Sequence, residues 1–435
     1  MKRTSRAVAA TVPLALALSL AACSSDDDST SSAASGEVTY PTVPYTTPGE
    51  GISLGHDDQE IGDTIPEPVH VSEIEPASEQ DLFAVLRTPG GLEIGVNILD
   101  PVTGVAGSRI VVGPGIWSPV IHGFVGESSS DPAVIAGEVW RPRGSRGQAD
   151  FTVTTYSGDL LDPAEIELPD YARLHSRNGS SAVTSDGKYF VSWDDGLYGV
   201  RVVDLEAGKE SGALQIIGCG PFTWLDGHEL YSVCEDTREL IQISIDDSGV
   251  PKETARSKVL PDDFVSNRTV TWAADAKKAL LVSATGDVFV FDFSNGLPSE
   301  PVAAIGNAGQ DSGRFAENAI NNTGDRIAIG YTDTDIHPHS IRGGDTVKID
   351  LFDAANFAPI RSLDLAALGL TSIDSMAFSV DGKILYVVGS GPEVDGESAQ
   401  RIVGVSASDG NQVSSAEVTG TVDDIRSLLT PQVIR

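Results

Sequence analysis

Basic side chains are scarce in this chain of 435 residues: 29 Lys and Arg stand against 63 Asp and Glu, for a formal net charge of −34. Such an excess of negative charge repels phosphate backbones and anionic lipid surfaces, which excludes nucleic-acid binding. After its N-terminal segment the chain also lacks long apolar runs and amphipathic helix patterns of convincing length. Segment 363–370 is expected to form one helical turn.

Motifs of common catalytic machinery are missing as well. The chain contains no nucleophile elbow, no zinc-protease helix motif, no P-loop and no haem-attachment motif. These absences favour a protein that is not itself an enzyme without deciding the question, and we expect no organic cofactor. A metal ion is the one cofactor for which the sequence offers a candidate site, described below.

Cysteine is rare, and the first of the three cysteines follows a leader-like segment. Lys2, Arg3 and Arg6 precede a short apolar stretch that ends in Leu-Ala-Ala-Cys at Cys23. This string resembles the lipobox of bacterial lipoproteins, with an ordinary signal peptide and a chance cysteine as the alternative. We expect 1–22 to be a signal peptide and Cys23 to carry acyl chains such as palmitate. The mature protein would then be anchored on the extracytoplasmic side of the cell membrane.

The residues after Cys23 have the composition of a tether. Segment 24–36 consists mainly of Ser, Asp and Ala without a large apolar side chain, and three prolines follow at 41, 44 and 48. Such a composition cannot offset the entropy lost on folding. We expect 23–50 to be a flexible tether and 51–435 to be the folded domain.

Cys219 and Cys234 form an even pair in a chain that we expect to be exported, which favours a disulfide. If Asp226 and Gly227 are the two residues of a hairpin turn, Cys219 lies opposite Cys234, and Leu225 lies opposite His228. Opposed Cα atoms are about 4.5–5.5 Å apart, within the range of a disulfide. A metal site is the weaker alternative because no further cysteine could complete it.

The segment 371–418 is the unit that the rest of the chain repeats. It contains four short apolar runs separated by turn signals, the first of which holds Asp381-Gly382. Asp-Gly between apolar runs is a strong hairpin signal. The unit is thus predicted to be a four-stranded antiparallel meander. It cannot bury both faces alone, so copies must stack.

Seven such units can be found along the chain. Their second runs lie at 82–87, 133–141, 189–193, 229–234, 279–284, 326–331 and 384–389. Their third runs lie at 92–100, 150–157, 198–205, 240–246, 287–293, 346–352 and 401–408. The pattern predicts an all-β fold, a seven-bladed β-propeller of four-stranded blades. Two packed sandwich domains are the alternative.

A propeller ring closes when one blade takes strands from both ends of the chain. Segment 421–426 echoes 371–376 at the start of the last unit, so the C-terminus is expected to supply the inner strand of the first blade. Segment 69–74 is the competing candidate for that strand.

Unequal loops on one face of a rigid scaffold often mark its working face. Here the loops between second and third strands, and the segments that enter each blade, share a face. They carry the candidate ligand-binding residues Arg141, Arg143, Arg146, His175, Asp335, His337 and His339. The arginines could bind a carboxylate or phosphate group, or could be exposed partners of nearby acids.

His337 and His339 are the metal-ligand candidates. An extended i, i+2 pair points both imidazoles to one side, and Asp335 is close by in sequence. Zinc or copper can use two histidines and a carboxylate. A stiff polar loop is the alternative for His-Pro-His. The acid pairs Asp194-Asp195 and Glu235-Asp236 are expected to be structural, because neighbours in an extended chain point to opposite sides.

Several stretches resemble the heavy chain of methylamine dehydrogenase and related bacterial propellers. They are GCGPFTWLDGHELYSVCED at 218–236, ATGDVFVFDFSNG at 284–296, AINNTGDRIAIGY at 319–331, and 371–410. The resemblance implies a seven-bladed propeller outside the cytoplasm. It also implies that a separate small subunit with a tryptophan-derived quinone does the chemistry. No catalytic residue is therefore carried over to this chain, and a lipid anchor departs from that family.

Three functions follow as expectations. The first is a membrane-anchored scaffold that binds a protein or a small ligand on its loop-rich face. The second is the non-catalytic heavy subunit of an amine dehydrogenase-type complex. The third is a metal-binding lipoprotein that uses His337 and His339. The sequence leaves the oligomeric state open.

Overall fold

The computed structural model describes residues 73–87, 94–112, 120–140, 149–160, 163–175, 179–220, 223–306, 314–332, 346–394, 398–421 and 424–434. The expected leader and tether lie outside these residues. In the described part of the chain, no helix is both long enough and apolar enough to cross a bilayer.

The prediction of a seven-bladed β-propeller is confirmed. The strands form seven four-stranded antiparallel sheets arranged in a ring, and each of blades 2 to 7 uses four consecutive strands. This arrangement excludes the alternative of two packed sandwich domains. The expected helical turn is a 3₁₀ turn at Ala366–Leu368.

The strands are numbered in chain order. Blade 1 contains β1 (Leu82–Arg87), β2 (Ile94–Leu99) and β3 (Ala106–Val111). Blade 2 contains β4 (Val120–Gly123), β5 (Pro132–Trp140), β6 (Asp150–Ser157) and β7 (Ala164–Leu168). Blade 3 contains β8 (Ser181–Val183), β9 (Tyr189–Asp194), β10 (Gly199–Asp204) and β11 (Lys209–Gln215). Blade 4 contains β12 (Thr223–Asp226), β13 (Glu229–Cys234), β14 (Glu239–Ile245) and β15 (Pro251–Lys258).

The remaining strands complete the ring. Blade 5 contains β16 (Ser266–Ala273), β17 (Lys278–Ser283), β18 (Val288–Asp292) and β19 (Ala303–Ile305). Blade 6 contains β20 (Arg314–Ile320), β21 (Arg326–Thr332), β22 (Thr346–Asp353) and β23 (Pro359–Asp364). Blade 7 contains β24 (Ser375–Phe378), β25 (Ile384–Ser390), β26 (Gln400–Ser406) and β27 (Gln412–Glu417). The last strand, β28 (Ile425–Leu429), returns to blade 1.

The core consists of apolar layers between neighbouring blades. Among the described residues there are seven clusters of buried side chains, and each joins two adjacent blades around the ring. Middle strands such as β9 are buried at every position, whereas the outer strand β15 alternates between exposed and shielded residues. A middle strand packs on both faces and therefore needs apolar side chains throughout. This pattern explains why the second and third runs were recognisable in the sequence.

The C-terminal strand closes the ring, as expected. β28 pairs antiparallel with β1, so that Leu428 lies opposite Ala84. The competing segment does not form this strand: Glu73 makes an isolated bridge to Asp159, and the amide of Ile74 donates to the carbonyl of Gly158 at 2.9 Å.

The cysteine pair forms a disulfide, but the predicted hairpin register is wrong by two residues. Cys219 is bonded to Cys234. However, Asp226 pairs with Glu229, which leaves Gly227 and His228 as the turn residues. Gly227 has a φ of +61°, so the turn places glycine first. That is the requirement of a type II′ hairpin, whereas the predicted register needed glycine second. Cys219 therefore precedes β12 and is not paired with Cys234 in the ladder.

The turns between first and second strands share a local design in three blades. Thr184, Asn321 and Ser379 each accept a hydrogen bond at the side-chain oxygen from the backbone N–H five residues later. Each is followed three residues later by a glycine with a φ between +62° and +71°. A left-handed residue is needed there, and glycine adopts it without steric cost.

Side-chain contacts join these turns around one end of the ring. Asp186 contacts His228 at 3.1 Å, and Asp226 contacts Lys277 at 2.8 Å. The ammonium of Lys278 donates to the carbonyl of Gly324 at 3.0 Å. Blades 3 to 6 are thus linked in order at this end, which we call the turn face.

Candidate functional site

The opposite end of the ring holds the loops between second and third strands together with the segments that enter each blade. We call it the loop face. In the described residues it includes Trp140, the entry segment 170–175 of blade 3, and the turn 195–198 between β9 and β10.

Most of the residues that the sequence singled out lie outside the described residues. They are Cys23, Arg141, Arg143, Arg146, Asp335, His337 and His339. Their roles remain predictions. The arginines follow directly on β5, and the two histidines lie in the connection from β21 to β22, so both sets belong to loops of the second-to-third-strand kind.

His175 lies on the loop face, where it pairs with Asp195. Its Nδ1 is 2.9 Å from Oδ2 and 3.1 Å from Oδ1 of that carboxylate. The backbone amide of His175 donates to the carbonyl of Trp193, which fixes the segment against β9. The Nε2 atom is buried and has no hydrogen-bond partner among the described residues. An imidazole held through Nδ1 in this way can offer Nε2 as a hydrogen-bond acceptor, a base or a metal ligand.

Beneath this pair lies a buried charged network. Arg201 donates from Nε and one terminal nitrogen to Oδ2 of Asp194, at 2.8 and 2.6 Å, and from the other terminal nitrogen to Glu210 at 2.5 Å. Oδ1 of Asp194 accepts the backbone amides of Arg173, Gly196 and Leu197. Burial alone would lower the pKa of the Arg201 guanidinium, but the two carboxylates outweigh it and raise the pKa. Asp194 therefore fixes both the entry segment and the turn that follows β9.

The expectation that the acid pairs are structural matches these contacts. In the first pair, Asp194 is buried and Asp195 is exposed, as expected for neighbours on an extended chain. In the second pair, Oε1 of Glu235 accepts the backbone amide of Ser266 at 2.9 Å, which joins blade 4 to the start of blade 5.

A second buried carboxyl, Glu138, lies near the end of β5. It accepts hydrogen bonds from the indole of Trp140 at 2.9 Å and from the hydroxyls of Thr154 and Tyr156 at 2.9 and 2.7 Å. Burial raises the pKa of Glu138, with a further contribution from the negative charge of Glu165, while the three donors oppose the rise. Burial and the nearby carboxylate also raise the pKa of Tyr156. Glu138, Trp140, Thr154 and Tyr156 are thereby linked across β5 and β6.

His122 on the inner strand β4 links three parts of the ring. Its Nε2 lies 2.7 Å from the hydroxyl of Ser181 in blade 3, and its Nδ1 lies 3.1 Å from the amide nitrogen of Gln432 in the C-terminal segment. The ring also meets Phe190 edge to face. Because the amide nitrogen donates to Nδ1, the neutral tautomer with the proton on Nε2 fits this site. Burial lowers the pKa of His122 to about 4.

The disulfide is part of the layer between blades 3 and 4. Cys219 and Cys234 are buried in a cluster with Trp193. A Cβ added to Gly220 would lie 2.6 Å from the indole of Trp193, so this backbone passes directly over the ring. The segment that enters blade 4 is therefore held by a covalent bond and by close packing.

Several of these residues were not predicted from the sequence. Glu138 interrupts an apolar strand, and Thr154 and Tyr156 alternate on the neighbouring strand, a pattern that could have indicated a polar network. The partnership of Asp194 with Arg201 was also hidden, because it depends on the register of β9 against β10. His122 and Gln432 are far apart in the chain, and no local pattern links them.

The described residues contain no group of three His, Cys, Asp or Glu side chains that could hold a metal ion. The proposed metal ligands lie outside this part of the chain, so the metal site stays a prediction.

Comparison with known proteins supports the same architecture. No family model and no curated protein matches the chain. Among solved structures, a protein from Lactobacillus plantarum has a TM-score of 0.54 at 11% identity, over 80% of this chain and 98% of that one. A putative 6-phosphogluconolactonase from Bacteroides fragilis has a TM-score of 0.50 at 15% identity, over 81% and 99%. A functionally unknown protein from Desulfotomaculum acetoxidans has a TM-score of 0.50 at 12% identity, over 80% and 98%.

These likenesses establish the seven-bladed β-propeller and, at such low identities, the fold alone. Of the resemblance to the methylamine dehydrogenase heavy chain, the implied fold is confirmed, and the implied role stays a prediction. The propeller fold is consistent with a binding or scaffold module.

Proposed function

We propose that the chain is an extracytoplasmic propeller lipoprotein, anchored through Cys23, that binds a protein or a small ligand on its loop face. The mature domain acts as a rigid scaffold in this proposal. Its high negative charge keeps it soluble and away from anionic lipid headgroups.

The observation that carries the proposal is where the buried charges lie. Among the described residues, the fully buried charged side chains are Glu138, Asp194 and Arg201. All three lie toward the loop face of the adjacent blades 2 and 3. Buried ionisable groups cost stability unless they are fully paired, and they concentrate near functional sites. In this protein the three buried charged residues hold the strand ends from which the loops start in fixed positions. This is expected of a surface that must present a preorganised binding geometry.

The test compares two triple variants of the full-length lipoprotein, affinity-purified from detergent-solubilised membranes. The first replaces Arg141, Arg143 and Arg146 with serine on the loop face. The matched control replaces three exposed lysines toward the turn face, Lys209, Lys252 and Lys383, with serine. We expect a partner or ligand to copurify with the wild-type and control proteins and to be reduced with the arginine variant. The proposal is wrong if nothing copurifies, or if the control variant loses as much.

Anchoring is tested separately with Cys23→Ser. We expect the wild-type protein to incorporate radiolabelled palmitate and to sediment with membranes. The serine variant should incorporate no label and should remain in the soluble fraction. A variant that still sediments with membranes and keeps its label would contradict acylation at this residue.

A heavy-subunit role in an amine dehydrogenase-type complex is the second candidate, favoured by the sequence resemblance and by the propeller fold. It predicts that the copurifying molecule is a small, cysteine-rich protein with a quinone absorbance. A metal-binding role predicts stoichiometric zinc or copper in the purified protein, reduced in His337→Ala and His339→Ala.

A further inference from the structure

Three exposed side chains form a patch on the loop face of blade 3. Tyr171 is 63% exposed, Tyr198 is 62% exposed and Ile217 is 76% exposed. In the described part of the chain these tyrosines are the two aromatic residues among the exposed large apolar side chains. We call the three residues the tyrosine patch.

The three residues are brought together by backbone contacts. The carbonyl oxygen of Tyr171 lies 2.3 Å from the position that a Cβ on Gly196 would occupy, so the entry segment lies against the turn that precedes Tyr198. On the other side, the amide of Ile216 donates to the carbonyl of Tyr198 at 2.8 Å, which places Ile217 beside it. The three exposed side chains therefore start from adjacent backbone segments.

The base of the patch is rigid. The ring of Tyr171 lies over the guanidinium of Arg201, 5.7 Å from its centroid to the guanidinium carbon, and Arg201 is fixed by Asp194 from below. Tyr198 has a φ of +53°, a left-handed conformation that is costly for a tyrosine. Backbone outliers of this kind cluster at binding and active sites, which makes this position a candidate for one.

The charges around the patch are mainly acidic. Asp170 and Asp236 are exposed, and Asp195 is 51% exposed at its side chain even though it pairs with His175. Asp236 lies close to the patch, because its Oδ2 is 2.8 Å from the position of a Cβ on Gly218. Arg173 is the exposed basic residue in this entry segment.

We propose that the tyrosine patch is the docking site for a basic segment of a protein partner. This inference rests on the proposed function and names the partner's chemistry. Tyrosines on a rigid base are typical anchors of protein interfaces, and their ring faces attract Lys and Arg side chains. The flanking carboxylates steer and pair with the same cations. A second copy of this chain fits poorly, because two surfaces with a net charge of −34 per chain repel each other.

Cross-linking in cells tests the proposal. The full-length lipoprotein is produced with p-benzoylphenylalanine in place of Tyr198 and, as a control, in place of Lys383, which lies on the turn face with a 79% exposed side chain. We expect position 198 to cross-link a partner, and the linked peptide to carry more Lys and Arg than Asp and Glu. The control position should not give this product.

Point variants then measure the contribution of each feature to partner capture. Tyr198→Gly removes the ring and relieves the left-handed strain, so the protein should stay folded. We expect Tyr198→Gly and Tyr171→Ala each to lower capture by about tenfold. The charge reversal Asp236→Lys should also lower capture. Its matched control, Asp263→Lys, makes the same change at an exposed position between blades 4 and 5 and should leave capture unchanged.

The outcomes separate this inference from the proposed function. If partner capture depends on Arg141, Arg143 and Arg146 but is unaffected by the tyrosine variants, the proposed function of the loop face stands. The proposal that the tyrosine patch is the docking site is then wrong. A cross-linked peptide that is acidic, or that comes from a second copy of the chain, also overturns the docking proposal. If no partner is captured by any form of the protein, both proposals fail.

Discussion

Arg201 is a buried cation whose stability depends on two carboxylates, and this dependence can be measured. Its guanidinium is fully buried against Asp194 and is also bonded to the partly exposed Glu210. Removing one partner of a buried ion pair leaves an uncompensated charge in a medium of low polarity. We expect Arg201→Met to lower the free energy of unfolding by about 3–5 kcal/mol in urea denaturation.

The double variant Arg201→Met with Asp194→Asn provides the control for this prediction. The amide keeps an oxygen that can accept the backbone N–H groups of the entry segment, while the unpaired charge is removed. We expect it to recover part of the lost stability, so the two substitutions should be non-additive. If the stability losses caused by the two substitutions were strictly additive, Arg201 and Asp194 would have no net coupling energy.

His122 predicts a pH dependence of stability. Its pKa is about 4 in the folded protein and about 6.5 in an unfolded chain. As the pH falls from 6.5 toward 4, the unfolded chain takes up a proton that the folded site refuses, so this residue's contribution to stability is lost in that window. The loss should reach up to about 3 kcal/mol.

Comparison of the wild type with His122→Gln isolates this effect. At pH 7 the variant should be less stable by about 1 kcal/mol, because contacts to Ser181 and Gln432 are lost. By pH 4 the difference should vanish or change sign. Carboxyl groups such as Glu138 titrate in both proteins and cancel in the difference. A constant difference between pH 7 and pH 4 would contradict the lowered pKa.

At the scale of single elements, the hairpin of β12 and β13 shows how much stability a disulfide contributes. The disulfide closes a loop with a sequence separation of 15 residues. Closure of such a loop restricts the unfolded chain and is worth about 3 kcal/mol. We expect the double variant Cys219→Ala and Cys234→Ala to lose about that amount in denaturation experiments.

Reduction of the wild-type protein is the matched control, because it breaks the bond and keeps the sulfur atoms in place. We expect the reduced protein to be destabilised somewhat less than the double variant, which also leaves a small void beside Trp193. Equal stability of oxidised and reduced protein would show that the bond contributes nothing.

The same elements show how far the sequence could predict the structure. Second and third strands were recognisable because both faces are buried, so their apolar runs are nearly continuous, and Asp-Gly turns punctuate them. The strand register at Gly227 could not be predicted. The same sequence gives different strand pairings when the glycine is the first or the second residue of the turn. The contact of His122 with Gln432 depends on ring closure and has no local signal. In the candidate site, too, only a feature with a local signal in the sequence was predicted. The loop-face position of His175 was predicted, but its pairing with Asp195 and the exposure of Tyr198 were not.

At the scale of the whole molecule, the ring depends on its last strand. Leu428 is 3% exposed and packs with Leu82, Ala84 and Tyr386, so one side chain joins blade 1 to blade 7. Leu428→Ala should cost about 2–5 kcal/mol, because the cavity lies at the seam of the ring. The neighbouring Arg426 is 57% exposed, and Arg426→Ala should change stability by less than about 0.5 kcal/mol.

Deletion of 425–435 tests the closure itself. Blade 1 would lose its inner strand, and the apolar surfaces of two blades would become exposed to water. Since each blade is stabilised by the layers on both of its sides, the loss should spread around the ring instead of remaining local. We expect hydrogen exchange to accelerate in all seven blades and the thermal transition to fall well below that of the Leu428→Ala variant. If blades 3 to 6 kept their protection, the sheets would be independent units, and closure would not be what makes the loop face rigid.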